Sequence, residues 1–334
     1  MSYATTVKTA VKSKALRLAG SLSRWSGLVA VNYHRIGDGR QSVLDRGLFS
    51  ATPEAFDRQL RWLKAHFDVI STGDVIRALR APRGRHVLVT FDDGYRDNHA
   101  AALPILRSNG VPAVFFVTSG FVGQGRMAWW DEIAWMVRSS RRPGVDLPGW
   151  LPAAFPFDEP AREGAVRKLL GVYKGLPVAR TDGFLEAIAA ATASGRHPGT
   201  EASSPWMTWD MVRELRAAGM EIGGHTVSHQ VLSRMSPEAQ WAEISGCLRR
   251  LEQELGVPVR TFSYPVGQRD SFDLATLDGL RRAGVELAFT YHGGHAATGT
   301  MDLLTLPRIA VEQEHTFDQF RAAVLAPSFT VSPS

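Results

Sequence analysis

Two adjacent carboxylates, Asp92 and Asp93, are the first residues whose type and position could do chemistry. They stand in the run Thr90-Phe91-Asp92-Asp93-Gly94, directly after an apolar segment of β-forming residues. Adjacent carboxylates at a strand end point in different directions, so one can bind a metal while the other accepts a proton. Asp-Asp-Gly is also an ordinary turn signal, and a structural role is the alternative for this run taken by itself.

Two histidines four residues apart, His225 and His229, form the second candidate group. In the first turn of a helix, or in a tight loop leading into one, this spacing places both imidazoles on one side. Two neutral imidazoles and one carboxylate leave coordination positions open and suit zinc, iron, cobalt or nickel. A lone pair of this kind is more often incidental, but its place after a strand, in a chain that also carries the aspartate pair, favours a metal site.

The elements that must position these groups are short apolar strands that alternate with helical segments. The candidate strands are Leu28–Tyr33, His86–Phe91, Ala113–Val117, Met220–Gly223, Val259–Tyr264 and Leu287–Tyr291. The candidate helices are Pro53–His66, Gly73–Leu79, His99–Asn109, Trp209–Ala218, Pro237–Leu255 and Asp273–Ala283. This alternation predicts parallel strands in a βα barrel or a doubly wound sheet. Because the carboxyl ends of barrel strands meet on one face, the carboxylates and imidazoles are expected to converge there.

Three segments define the predicted domain organisation. Residues 1–27 predict a basic amphipathic helix, residues 28–326 the barrel, and residues 327–334 a tail. Within the barrel, an insertion of mainly helical character is expected at about 123–205, with helical pieces at Ala161–Tyr173 and Thr181–Ala193.

The net charge of +5 resides entirely in the first 30 residues, so the remaining chain is formally neutral. A nucleic-acid binder would spread a basic face over its folded domain, so a nucleic-acid partner is not expected. The basic helix predicts either packing on the barrel or peripheral contact with a membrane. No secretory signal and no bilayer-spanning stretch is evident, which favours the cytoplasm or the inner membrane surface. The single cysteine, Cys247, excludes an intramolecular disulfide.

Three motifs together resemble the polysaccharide deacetylases of carbohydrate esterase family four. They are Thr-Phe-Asp-Asp-Gly at 90–94, His-Thr-Val-Ser-His at 225–229 and Phe-Ser-Tyr-Pro-Val-Gly at 262–267, and their order and spacing also match. The resemblance implies a distorted (β/α)7-type barrel and one divalent metal ion held by Asp93, His225 and His229. Zinc is the expected metal, with cobalt, nickel and iron as alternatives. It also implies that Asp92 is the general base.

The sequence departs from the common family pattern at two positions. No C-terminal histidine motif supplies the general acid, but Val31-Asn32-Tyr33-His34-Arg35 resembles the N-terminal motif of circularly permuted poly-N-acetylglucosamine deacetylases, which implies His34 as that acid. His34 could instead only cap its strand, and the fallback acids are His292, His295 and His315. Ser263 stands where many relatives carry an arginine that pairs with the base. Arg308 is the expected substitute, with a surface ion pair as the alternative.

The predicted substrate contacts lie around the proline motif and the insertion. We assign Tyr264, Pro265, Val266, Trp130 and Arg308 to substrate binding, and the family resemblance implies that the backbone N–H of Val266 stabilises the oxyanion. Trp130 could form a sugar platform, although tryptophan is more often core packing; the same applies to the other tryptophans at the ends of the insertion, Trp129, Trp206 and Trp209.

The predicted function is therefore metal-dependent hydrolysis of N-acetyl groups on N-acetylhexosamine residues of a polysaccharide or glycan. One alternative is hydrolysis of another amide, a formamide or cyclic imide, in a small metabolite. The other is a catalytically silent sugar-binding protein, which the intact aspartate and histidine motifs disfavour.

Overall fold

The barrel is formed by seven parallel strands in the computed structural model, which describes residues 25–157, 161–199 and 204–329. The strands are β1 (Gly27–Tyr33), β2 (Arg85–Phe91), β3 (Ala113–Val117), β4 (Glu221–Gly224), β5 (Thr261–Ser263), β6 (Leu287–Phe289) and β7 (Arg308–Ala310). They pair in the order β6-β5-β4-β3-β2-β1, and β7 pairs with β1. A bridge between Phe289 and Leu306 nearly closes the sheet. The predicted distorted (β/α)7 barrel is confirmed.

Helices surround the barrel and also build the long connection between β3 and β4. They are α1 (Pro53–His66), α2 (Thr72–Arg80), α3 (Leu103–Asn109), α4 (Trp129–Ser139), α5 (Ala161–Gly175), α6 (Val178–Thr192), α7 (Trp209–Ala217), α8 (Pro237–Leu255), α9 (Leu274–Arg282) and α10 (Phe317–Leu325). The hydroxyls of Thr52 and Ser236 cap α1 and α8, each followed by proline. Such a cap satisfies N–H groups that the first turn leaves free.

Minor elements complete the fold. Two-residue and three-residue strands pair outside the barrel core or at its edge: Arg35–Ile36 with Phe49–Ala51, Asp68–Val69 with β2, Ala296–Ala297 with β1, and Gly144–Val145 with Phe155–Pro156. Short 3-10 turns lie at Arg46–Leu48, Leu232–Arg234 and Pro327–Phe329.

Several predicted boundaries differ from those observed. The expected helix His99–Asn109 begins instead as a π-helical turn at Asn98–Ala102, followed by α3. Pro104 lacks the N–H that would bond to the carbonyl four residues earlier, which explains the wider turn. Helices α4 and α10 and strand β7 were not predicted. β7 has only three residues, too few to show a period.

The barrel core explains why the strands consist of nearly continuous apolar residues. β1 and β3 are buried at every position, and β2 from Val87 onward. Parallel strands covered on both faces are expected to have this pattern. Phe91 stacks on Phe115 at 4.7 Å and on Tyr33 at 5.4 Å between ring centroids. The ends of these strands are therefore fixed by packing, which in turn fixes the residues that follow them.

The connection between β3 and β4 carries a second apolar core. α4, α5 and α6 pack around a cluster that includes Ile133, Leu169, Phe184 and Ile188. Trp206 links this cluster to the barrel, because its ring lies 4.5 Å from that of Tyr95. The insertion is thus held rigidly over the carboxyl ends of the strands.

The predicted basic helix at 1–27 lies outside the described residues up to position 24, and Gly27 already belongs to β1. Its membrane contact and the cytoplasmic location remain predictions. Within the described ranges, no helix combines the length and apolar character that crossing a bilayer requires.

Candidate metal centre and active site

The predicted metal ligands meet at the carboxyl ends of β2 and β4. Asp93 Oδ1 lies 3.4 Å from His225 Nε2 and 3.3 Å from His229 Nε2. One ligand atom from each residue lies within 4.8 Å of the others, and all three side chains are buried. Asp93 has φ 76° and His229 has φ 55°, conformations that L-residues rarely adopt. Such backbone strain persists where the surrounding structure enforces it, often at functional sites.

Surrounding hydrogen bonds orient the imidazole of His225 and hold the backbone that carries His229. His225 Nδ1 lies 2.7 Å from the carbonyl oxygen of Ser263, so Nδ1 is the donor in that bond and Nε2 faces Asp93. The carbonyl of His229 accepts a bond from Trp129 Nε1 at 3.2 Å. Glu243 accepts from the backbone N–H groups of Val227 and Ser228, which fixes the loop between the histidines. Second-sphere bonds of this kind typically hold metal ligands in place.

This cluster fits a divalent metal ion. Among the described residues, Asp93 Oδ1 is buried without a hydrogen-bond partner. Ligand atoms about 2.1 Å from a tetrahedral zinc ion lie about 3.4 Å apart, close to the observed separations. Burial opposes ionisation of Asp93, but the adjacent imidazoles outweigh it and hold its pKa below the usual range. Burial lowers the pKa of His229, which favours the neutral imidazole that metals bind.

Asp92 is held by a buried, bidentate ion pair with Arg308. Arg308 Nη1 donates to Asp92 Oδ1 at 2.8 Å and Nη2 to Oδ2 at 2.7 Å. Ser263 Oγ and Asn32 Nδ2 also donate to Oδ2, at 3.2 and 3.3 Å. Burial would raise the pKa of Asp92, but the Arg308 guanidinium lowers it below its usual value. Asp92 is therefore an ionised carboxylate with a fixed orientation.

Arg308 reaches Asp92 from β7, which pairs with β1 and is therefore separated from β2 by a single strand. Its other hydrogen bonds go to the carbonyl of Thr290, the side-chain oxygen of Asn32 and the hydroxyls of Thr90 and Ser263. The side chain is 0 % exposed, so the alternative of a surface ion pair is wrong. Its assignment to substrate binding is also wrong, because every donor is engaged inside the protein.

His34 follows β1 and lines the same cavity as Asp92, Asp93 and the two histidines. Its ring packs edge-on against Tyr291, with centroids 5.7 Å apart. Burial raises the pKa of the cavity-lining carboxylate of Glu312, which the imidazoles of His315 and His34 partly oppose. The fallback histidines do not line this cavity. His295 packs near Trp25, and His315 Nε2 lies 3.8 Å from Glu312 Oε2.

The predicted substrate contacts divide into cavity-lining and supporting residues. Val266 lines the cavity with φ 64°, and its N–H donates to no group in the described part of the chain. Tyr264 reaches the wall but is 1 % exposed, and its hydroxyl donates to the Leu304 carbonyl at 2.6 Å. Pro265 does not line the cavity; its carbonyl accepts from Gly267 N at 2.7 Å and shapes the turn. Its direct substrate contact is therefore not supported by this geometry.

Trp130 forms a wall of the site rather than an exposed platform. It is 4 % exposed, and its ring centroid lies 4.3 Å from that of His229. Its Nε1 donates to the hydroxyl of Tyr95, which in turn donates to Asp131. An exposed stacking face on Trp130 is therefore excluded. Trp129 and Trp206 are also buried.

The cavity has a volume of about 370 Å³. Its lining includes residues that the sequence analysis did not identify, namely Asp45, Leu48, Arg167, Leu170, Lys174, Gln268, Tyr291 and Glu312. A larger cavity of about 650 Å³ lies behind Trp129 and Tyr173 in the insertion, without the carboxylate and imidazole cluster.

Residues 79–142 and 185–288, about half of the chain, match the polysaccharide deacetylase family. The chain belongs to that family. This deacetylase is 19 % identical to YxkH of Bacillus subtilis over 296 residues, covering 87 % of the chain and 74 % of YxkH. It is 28 % identical to the poly-beta-1,6-N-acetyl-D-glucosamine N-deacetylase of Escherichia coli K12 over 101 residues, which is 29 % of the chain and 15 % of that protein.

Solved structures show the same fold as this deacetylase. The deacetylase PplD of Streptococcus pyogenes has a TM-score of 0.56 at 19 % identity and covers 89 % of this chain and 97 % of its own. IcaB from Ammonifex degensii has a TM-score of 0.56 at 20 % identity, with coverages of 91 % and 98 %. The resemblance stated from the three motifs is thereby confirmed, and the deacetylase is an amidohydrolase by family.

Proposed function

We propose that this deacetylase removes N-acetyl groups from N-acetylhexosamine residues of a polysaccharide, using one divalent metal ion. One observation carries the proposal. The buried Asp93–His225–His229 cluster and the ion-paired Asp92 line one cavity at the carboxyl ends of the strands. Zinc is the metal we expect, because two imidazoles and a carboxylate are a frequent zinc ligand set.

The proposed reaction adds water to the amide and gives a free amine and acetate. A metal held by Asp93, His225 and His229 would acidify water and polarise the amide carbonyl. Asp92 accepts the proton of the attacking water, and Arg308 holds its carboxylate in the ionised state. The free N–H of Val266, which lines the cavity, would donate to the developing oxyanion. His34 then gives a proton to the departing amine nitrogen.

The size of the cavity favours binding of the end of a glycan over binding of a long stretch of polymer. Its volume of about 370 Å³ lies near the lower end of the range, about 300–1,000 Å³, of small-ligand sites. The alternative substrates, a formamide or cyclic imide in a small metabolite, would use the same groups. A silent sugar-binding role is disfavoured because a buried unpaired Asp93 oxygen is costly without a ligand.

Acetate release from N-acetylglucosamine oligomers tests the proposal. Metal-stripped protein is assayed with zinc, cobalt or nickel added back, next to Asp92→Asn and the control Asp278→Asn, whose carboxylate lies on the surface of α9. We expect metal-dependent release that Asp92→Asn abolishes and Asp278→Asn retains. Metal binding without release would move the proposal to another amide, and failure to bind metal would contradict it.

A further inference from the structure

Two cations of the insertion line the catalytic cavity without a bonding partner. Arg167 and Lys174 lie on α5, and both contribute to the cavity wall together with Leu170 between them. In the described part of the chain, neither side chain makes a hydrogen bond or a salt bridge. Seven residues span two helical turns, about 10 Å along the axis, so the two charges flank an apolar patch.

The carboxylates nearby do not neutralise these two cations. Glu163 is already engaged: it accepts bonds from Arg46 Nη1 at 3.1 Å and from Arg138 Nη2 at 2.6 Å. Glu163 also interacts electrostatically with Arg167, but Arg167 is then the third cation that shares this one carboxylate.

Asp45 is the carboxylate whose charge acts on Lys174, and its Oδ1 accepts from Gly47 N at 3.0 Å. Two carboxylates, Asp45 and Glu163, therefore face four cations. Of these four cations, Arg167 and Lys174 line the cavity, whose wall also carries Asp45 and Glu312.

The charged form of Lys174 is disfavoured by its surroundings, and a bound anion would stabilise it. Its side chain is accessible, yet the surrounding cavity walls desolvate the ammonium and lower its pKa, and the single charge of Asp45 does not restore it. Burial raises the pKa of Glu312, another acid on the wall, and the cations that act on it are His315 and His34. An anion that enters the cavity beside α5 would consequently meet the free N–H donors of Arg167 and Lys174, whereas a cation would find no partner in these two side chains.

We propose that Arg167 and Lys174 form an anion subsite, and that the substrate is a glycan with a phosphate or carboxylate close to the acetylated sugar. This inference rests on the proposed deacetylase function. Arg167 offers a planar fork that matches either anion, and Lys174 a point charge. Leu170 packs against the apolar face of the intervening sugar. The subsite would therefore select among N-acetylhexosamine glycans by their charge.

Three tetramers of similar length test the subsite. They are a neutral N-acetylglucosamine tetramer, the same tetramer with a 1-phosphate, and a hyaluronan tetrasaccharide, in which N-acetylglucosamine alternates with glucuronate. Wild type is compared with Arg167→Gln/Lys174→Gln and with Lys168→Gln. Lys168 is the matched control because it lies on α5 but packs over Phe155, away from the cavity. The readouts are kcat/KM for acetate release and the Kd of each tetramer for the inactive Asp92→Asn protein.

The wild type is expected to prefer one of the anionic tetramers over the neutral one by about tenfold or more. The preference should weaken with added salt, disappear in the double variant and persist in Lys168→Gln. Whether the phosphate or the carboxylate is preferred identifies the source of the charge. Equal kcat/KM and equal Kd for all three tetramers, or a preference that the double variant retains, would overturn the subsite. Charge-selective binding without acetate release from any tetramer would support the subsite and contradict the proposed function.

Discussion

The Asp92–Arg308 pair should dominate the stability of the site, and Arg308→Met tests this. The substitution keeps an unbranched chain of similar reach but removes all six hydrogen bonds of the guanidinium. Asp92 would keep only the long contacts from Ser263 and Asn32, at 3.2 and 3.3 Å. Removing one partner of a buried pair costs about 3–5 kcal/mol. That is a large share of a total stability of about 5–15 kcal/mol.

Urea unfolding at neutral pH, without added metal, measures the loss. We expect Arg308→Met to lower the free energy of unfolding by about 3–5 kcal/mol. Asp92→Asn in the same chain should recover part of the loss, because the unpaired charge is then gone. The control Arg281→Met breaks an ion pair whose arginine is 59 % exposed, and should cost less than about 1 kcal/mol. A loss in Arg308→Met no larger than in Arg281→Met, or no recovery in the double variant, would refute the reasoning.

Three further predictions concern the metal, a buried acid and the proton donor. Zinc at about 100 times its Kd should stabilise the wild type by about 2.7 kcal/mol, which is measured as a higher Tm. His229→Ala should lose this gain, whereas the control His99→Ala, outside the metal cluster, should keep it. Burial raises the pKa of Asp131 to about 6. Above about pH 6 the ionised Asp131 carboxylate therefore destabilises the native state. Below the pKa of this group in the unfolded chain, near 4, the carboxyl is protonated and the destabilisation is absent. The stability of Asp131→Asn relative to wild type should thus rise by about 2–3 kcal/mol between pH 4 and pH 7 in urea unfolding; a pH-independent difference would contradict the burial argument. His34→Gln should lower kcat at least about 100-fold while zinc still raises Tm, and His315→Gln should leave kcat unchanged; the opposite result would make His315 the acid.

The convergence of the metal cluster was predictable because it follows from topology. Asp93 and His225 each come directly after a buried parallel strand, and such strand ends meet on one face whatever the distance in sequence. Apolar runs identify those strands reliably when they are buried on both faces, as β1 to β3 are. Arg308 could be proposed as the partner of Asp92, but its place could not be derived, since β7 has three residues.

The side of the cavity formed by the insertion could not be predicted. Arg167 and Lys174 come from a helix whose sequence shows its own apolar face, but not which barrel face it covers. The burial of the Trp130 ring could not be predicted either. Its indole N–H finds a partner in the hydroxyl of Tyr95, which lets the ring become buried. A sequence cannot reveal such a pairing, so the choice between core packing, the more common role of tryptophan, and an exposed sugar platform needed the structure.

Mass spectrometry of an N-acetylglucosamine tetramer, incubated with zinc-loaded protein in ¹⁸O-labelled water, tests the central claim most directly. The account predicts a tetramer that carries a free amine, together with acetate that has gained one labelled oxygen atom. Neither product should form with the Asp92→Asn protein. An unchanged tetramer after incubation with fully zinc-loaded wild type, or equal product with Asp92→Asn, would contradict the account.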